Sequence, residues 1–224
     1  MAFSRPLLAF DTSAAHCAAA LVTDGRTFAG YEPMQKGQAE RLIPLLDAML
    51  AGAGLGWRDL GGLAVGIGPG NFTGVRIAVS AARGLALGLG LPLAGISAFE
   101  LMRGSADGGP QLVSLAAPRD QAYVQSFRGG QPQGRPRLID PGAPPADLAI
   151  GPGTCVIGHR AAQIARPFGA EALEAETDDL PARLAAIAAR KFASGEIGPL
   201  PAPLYVRPAD AAPPSDPPPV ILDA

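Results

Sequence analysis

Two cysteines in 224 residues, Cys17 and Cys155, leave no material for a disulfide-stapled scaffold. Both sit in apolar, strand-like runs with no secretory leader ahead of them, which fits a reducing cytoplasm. Charge is scarce as well. Only 17% of residues are charged and the formal net charge is -2, so the molecule as a whole has no electrostatic attraction for a nucleic-acid backbone. Histidine occurs twice, at His16 and His159, one in a strand region and one in the distant second half. A membrane-length run is missing too: Gly84 to Phe99 is apolar and uncharged, but shorter than a span, glycine-rich and broken by Pro92. It reads as a buried helix end followed by a buried strand. What is plentiful is core material, with 48% hydrophobic residues for one large or two small domains.

The apolar runs Leu7 to Phe10 and Cys17 to Val22, the second rich in alanine, are followed by an Asp24-Gly25 turn and a returning strand, Arg26 to Tyr31. The chain thus opens with a three-strand meander. From Ala39, apolar residues recur at helical spacing until Gly52 and Gly54, with Pro44 tolerated if it falls in the first turn and kinking the helix otherwise. Leu63 to Ile67 reads as a buried strand, Gly74 to Leu89 as a second helix, and Pro92 to Ile96 as a fifth strand. This order predicts a mixed α/β lobe over residues 1–103. Past a loop from Gly104 to Pro110, strands are predicted at Leu112 to Ala116, Ala122 to Phe127, Pro136 to Ile139 and Cys155 to Gly158, with a helix from Leu180 to Phe192. These make a smaller lobe over 110–198 that repeats the first in element order. Residues 199–224 form a proline-rich tail, expected to run extended over the surface or stay disordered.

The segment Gly66-Ile67-Gly68-Pro69-Gly70-Asn71-Phe72-Thr73-Gly74-Val75-Arg76 lies between strand and helix. Its glycines permit close backbone approach, and the helix N-terminus behind them offers unpaired N-H groups to an anion. Gly68, Gly70 and Thr73 are therefore candidates for a phosphate site, and Asp11, at the end of the first strand, is the best remaining polar candidate for a nucleotide contact. In the alternative, Thr73 caps the helix, the glycines make a tight crossover, and Asp11 caps the turn formed with Thr12 and Ser13. Gly158-His159-Arg160-Ala161 is a weak candidate for a nucleotide motif in the second lobe. Neither cysteine has a motif around it, and Ser13, Ser80 and Ser97 lack the context of a nucleophile elbow.

Gly-x-Gly-Pro-Gly-x-Phe-Thr-Gly-x-Arg, with Asp11-Thr12-Ser13 upstream, resembles the signature of the TsaB family, also called YeaZ. The similarity continues through Gly84-Leu85-Ala86-Leu87-Gly88 and Pro92-Leu93-Ala94-Gly95-Ile96-Ser97, and returns at Pro203-Leu204-Tyr205-Val206-Arg207. Two places depart from the family's pattern: Ala117-Pro118-Arg119 stands where Asp-Ala-Arg is usual, and Gln38 where histidine is common. The resemblance implies an actin-like, ribonuclease H-like (ASKHA) α/β fold of two lobes, the second reduced. It also implies a non-catalytic scaffold or activator subunit, with no cofactor of its own, in the complex that transfers threonylcarbamoyl to the adenosine beside the anticodon of tRNA. Its implied partners are the catalytic paralogue TsaD, a TsaE-like ATPase, a second copy of itself in isolation, and tRNA only through the complex. No membrane is implied. The paralogue's His-x-x-x-His metal pair has no counterpart here. The rival readings are a glycopeptidase-like hydrolase and a small-molecule kinase of the same fold.

Both first-lobe helices carry more apolar or small residues than one buried face requires. On the first, Leu45, Ala48 and Met49 lie beside the core stripe, with Arg41 one turn earlier. On the second, Ile77, Ala81, Gly84 and Gly88 form a small-residue row next to Arg76, Ser80 and Arg83. These rows either pack inside the lobe or form a docking surface. The resemblance favours the surface, since it implies pairing through these helices.

Overall fold

The computed structural model describes residues 5–103, 109–175 and 179–206. Strands β1 (Leu7–Asp11), β2 (His16–Thr23) and β3 (Arg26–Pro33) form the expected meander. After helix α1 (Gln38–Gly52) come β4 (Gly62–Gly68), helix α2 (Phe72–Leu89) and β5 (Leu93–Ser97). The strands assemble in the order β3-β2-β1-β4-β5, the meander antiparallel and β1, β4 and β5 parallel.

Every residue of β1 is buried, because both faces of this sheet are covered. The period-two alternation separates two unlike faces. Leu8, Phe10, Leu21, Leu63 and Val65 point toward α1 and α2, a large-residue face. The opposite face is built from Ala9, Ala18, Ala20, Ala64 and Ala94. These short side chains let helix α5 (Leu180–Ser194) lie close against the sheet, where Leu184, Ala188 and Phe192 fill the space they leave. The alanine-rich character of β2 is thus a requirement of packing.

Helix α3 (Ala98–Arg103) leads to a second sheet of β6 (Gln111–Ala116), β7 (Ala122–Arg128), β8 (Gln131–Ile139), β9 (Cys155–Gly158) and β10 (Glu171–Leu173). Its order, β8-β7-β6-β9-β10, repeats that of the first sheet, again with an antiparallel meander and two parallel additions. The chain has the expected α/β, actin-like fold. The second copy is reduced: no helix joins β8 to β9, and α4 (Ala161–Ala165), continued by a 3-10 turn over Arg166–Phe168, is the short helical link between β9 and β10.

The helices that close each half are exchanged. Phe99 of α3 packs with Val113, Leu115 and Phe127 of the second sheet, while α5, which follows that sheet, returns to the first. Ser97 and Glu100 start α3 with reciprocal bonds: the Ser97 N-H and hydroxyl donate to the Glu100 carboxylate at 2.8 and 2.9 Å, and the Glu100 N-H donates to Ser97 Oγ at 3.2 Å. The other Glu100 oxygen meets Lys191 Nζ of α5 at 2.8 Å, and Arg183 donates to the Leu101 carbonyl at 3.0 Å.

Three local readings are decided by the structure, the Pro44 alternatives among them. Asn71, not Thr73, caps α2, its side chain accepting from the Gly74 N-H at 2.9 Å, so the helix starts at Phe72 instead of Gly74. Pro44 lies inside α1, beyond its first turn, where one intrahelical bond is forfeited. The end of α2 is not buried: Gly84 and Gly88 are exposed and Leu87 is 87% accessible, although β5 beyond it is in the core as expected. The loop from Gly104 to Pro110 and the tail beyond Val206 fall largely outside the described residues.

Candidate functional site

Asp11 ends β1 and is 1% exposed. One carboxylate oxygen accepts from the Ser13 N-H and the Ser13 hydroxyl, each at 2.9 Å, and lies 2.8 Å from His16 Nε2. The backbone bond to Ser13 is an Asx turn, so the carboxylate does cap its own turn. Serine, aspartate and histidine meet here without forming a catalytic triad. The Ser13 hydroxyl donates its hydrogen bond to the aspartate and not to the imidazole, so the three are not ordered as nucleophile, imidazole and carboxylate. This cluster was missed in the sequence because His16 lies in a strand and Ser13 in a turn with no motif. The second Asp11 oxygen is buried without a hydrogen-bond partner beside Gly66, where a Cβ would sit 1.6 Å from it.

The glycine-rich turn lies directly on this Asp11-Thr12-Ser13 turn. A Cβ on Gly70 would meet the Ser13 carbonyl at 2.3 Å, and one on Gly74 would meet the Thr12 carbonyl at 2.0 Å. Gly68 takes φ +82°, the left-handed region that suits glycine. Several donors of the turn and of the first helical turn are already used. The Asn71 N-H donates to the Ser13 carbonyl at 2.6 Å, the Gly74 N-H to Asn71 Oδ1, and the Val75 N-H to the Asn71 carbonyl at 2.9 Å. Thr12 Oγ1 adds a bond to the Gly74 carbonyl at 2.7 Å. Asp11 and Gly70 thus serve to dock one turn on the other, and Thr73 is an exposed first-turn residue.

The lobes meet over a cleft of about 420 Å³, lined by Ser13, Gln35, Gln38 and Asn71 on one side and Ala117, Pro118 and Tyr123 on the other. No lining residue is charged. Gln38 and Ala117-Pro118, the two departures from the family pattern, both face this cleft. Arg160, in the second-lobe candidate motif, is instead committed to Asp120 at 2.5 Å. Among the described residues no three histidine, cysteine, aspartate or glutamate side chains gather as metal ligands. Burial pushes the thiols of Cys17 and Cys155 above their ordinary range, with Glu32 and Glu171 respectively adding to the effect.

The two helical rows separate. Leu45 is buried in the lobe's own core beneath Gly30, which removes it from any surface of the isolated chain. Met49 is half-buried there, while Ala48 and Arg41 are exposed, Arg41 holding Glu32 through two bonds of 2.6 Å. On α2, Arg76, Ser80 and Gly84 are exposed and Ile77 and Ala81 half-buried. Phe72 and Leu87 extend this outward stripe at 51% and 87% exposure. Tyr205 joins it from the far end of the chain. The Leu204 N-H donates to the Ile67 carbonyl at 2.8 Å, placing the Tyr205 ring 5.7 Å from that of Phe72. Phe72 and Arg76 are four apart on a helix, a readable spacing; Tyr205, 129 positions away, is not.

This architecture defines a two-lobed, actin-like protein whose glycine-rich turn is docked on the turn that follows its first strand. Residues 6–132, more than half of the chain, match the family described as TsaD: tRNA N6-adenosine threonylcarbamoyltransferase. The chain belongs to the TsaB (YeaZ) branch of these proteins. The tRNA threonylcarbamoyladenosine biosynthesis protein TsaB of Escherichia coli K12 is 41% identical over 96 residues, covering 43% of this chain and 42% of that protein. Its Haemophilus influenzae counterpart is 43% identical over 96 residues, 43% and 41% of the two chains. The match thus spans about two fifths of each of these relatives. An uncharacterized protein of Mycobacterium bovis, Mb3455c, is 33% identical over 179 residues, 80% of this chain and 79% of that one. YeaZ from Pseudomonas aeruginosa superposes with a TM-score of 0.66 at 29% identity, covering 87% of this chain and 94% of that one. A crystal structure of an uncharacterized protein with similarity to peptidase YEAZ, from the same organism, gives 0.72 at 29% identity over 92% and 100%.

Proposed function

We propose that this chain takes part in threonylcarbamoyladenosine biosynthesis on tRNA as a non-catalytic subunit, acting by pairing the outer face of α2 with a catalytic paralogue of the TsaD type. The observation that carries the reading is α2 itself. It is apolar enough in length and composition to pass as a membrane span, yet only a third of it is buried. Its buried stripe, Val75, Ala78, Val79, Ala82 and Ala86, is part of the first lobe's core, so the helix cannot leave the domain to enter a bilayer. The opposite stripe, from Phe72 to Leu87, instead needs a protein cover.

Two further features support the reading. The relatives named for this biosynthesis support the pathway, and the seating of Gly70 and Gly74 on the Asp11-Thr12-Ser13 turn gives the glycine signature a structural role. The net charge of -2 leaves tRNA to be held by other members of the complex, a TsaE-like ATPase among them. In isolation the same stripe supports a homodimer, and the setting is the cytoplasm. Sedimentation of the chain with and without the purified paralogue tests the pairing: a heterodimer is expected, and two independently sedimenting species would refute it.

A further inference from the structure

The tail strap and the α2 stripe meet in one cluster that neither explains alone. The Arg76 guanidinium lies over the Phe72 ring, 3.6 Å from its centroid, and 5.8 Å from that of Tyr205. Its Nε donates to the Tyr205 hydroxyl at 2.8 Å. Its terminal nitrogens have no partner among the described residues, and Arg76 is exposed. A free surface arginine samples many rotamers; this one is held by a ring on its face and a hydroxyl on its inner edge, so little further ordering is needed when the outer edge is engaged.

We propose that Arg76, fixed by Phe72 and Tyr205, is the anchor for a carboxylate on the protein that covers α2. The inference rests on the partner-binding reading above and specifies the chemistry of that partner. A planar edge with two N-H groups matches a carboxylate bidentately. The only charged residues of α2 are Arg76 and Arg83, both exposed, so the face asks for acidic groups opposite. A second copy pairing α2 with α2 would set arginines near arginines, so the homodimer formed in isolation is the weaker pairing and an acidic partner chain displaces it. RNA phosphate is the poorer match. The guanidinium face that would stack on a base is taken by Phe72, and two arginines amid apolar residues give little counterion release.

The test is the affinity of the full chain for the purified TsaD-type paralogue by calorimetry at low and high salt, with thermal melts of each variant. Arg76→Ala and Arg76→Lys should each weaken binding about tenfold or more, lysine failing because it keeps charge and loses the fork. Tyr205→Phe should cost a few-fold by freeing Nε, and Arg76→Ala should flatten the salt dependence of binding. All melts should stay close to that of the parent, since both residues lie at the surface. Parent binding with Arg76 variants within about twofold of it would overturn this inference alone. No binding by the parent would overturn the pairing and the inference together. Loss of tRNA binding by Arg76→Ala with paralogue binding intact would assign the guanidinium to phosphate and overturn it as well.

Discussion

Gly74 has no room for even a methyl group, because the Thr12 carbonyl stands 2.0 Å from where a Cβ would be. Gly74→Ala should therefore destabilise the fold by about 1–3 kcal/mol, as overpacking does, seen as a lower denaturant midpoint with an unchanged slope. A variant as stable as the parent would mean that the two turns are not docked. The same residues were visible in the sequence as a glycine signature but ambiguous in purpose. Whether backbone N-H groups face a phosphate or a neighbouring carbonyl depends on where Asp11-Thr12-Ser13 lies, about sixty positions upstream, which spacing alone does not show. At the surface, Glu32 is held below its ordinary pKa by its hydrogen bonds to Arg41, and Asp147 by its bond to Arg137. A carboxyl with a depressed folded pKa stabilises above its unfolded value and loses that contribution as pH falls through the folded one. The melting temperature should thus decline below the ordinary carboxylate range, less steeply in Arg41→Ala and in high salt, because exposed pairs are screened. An identical acid limb in the variant would remove this pair from the explanation.

Among the elements, α5 decides whether the two lobes behave as one unit. It follows the second sheet yet packs on the first, with the Phe192 ring 2.1 Å from where a Cβ on Gly62 would be. Phe192→Ala should cost about 3–5 kcal/mol, and near- and far-ultraviolet signals should still unfold together because α3 and α5 cross between the sheets. Separate transitions for the two halves would show that the exchange does not couple them. Helix α2 makes the opposite prediction. Leu87→Glu, at a residue 87% exposed, should change stability by no more than about 0.5 kcal/mol while greatly weakening the paralogue complex. A folded variant that binds like the parent would release this stripe from the interface. Helix spacing made both rows legible in the sequence, yet could not separate Leu45, which faces the core, from Ala48, which faces solvent. That distinction depends on how α1 is rotated against Gly30, a contact between distant segments.

At the scale of the molecule, periodicity and turn residues were enough to place the first five strands and the two helices of the first lobe. The second lobe was less legible because duplication shows in strand order and not in residues, and because the loop that replaces a helix between β8 and β9 carries no periodicity. The cleft and the Arg76 cluster were hidden for the same reason: each is assembled from segments that only the tertiary fold brings together. In the proposed role this two-lobed body has one task, presenting a helical face to a catalytic partner. The most direct measurement is threonylcarbamoyladenosine formation in a reconstituted mixture of tRNA, the adenylate donor, the TsaD-type paralogue and the TsaE-like ATPase, with and without this chain. The account predicts no product from the chain alone, full activity from the complete mixture, and a large loss when the chain is omitted or replaced by Leu87→Glu. Product made by this chain as the only protein, or equal activity in its absence, would contradict it.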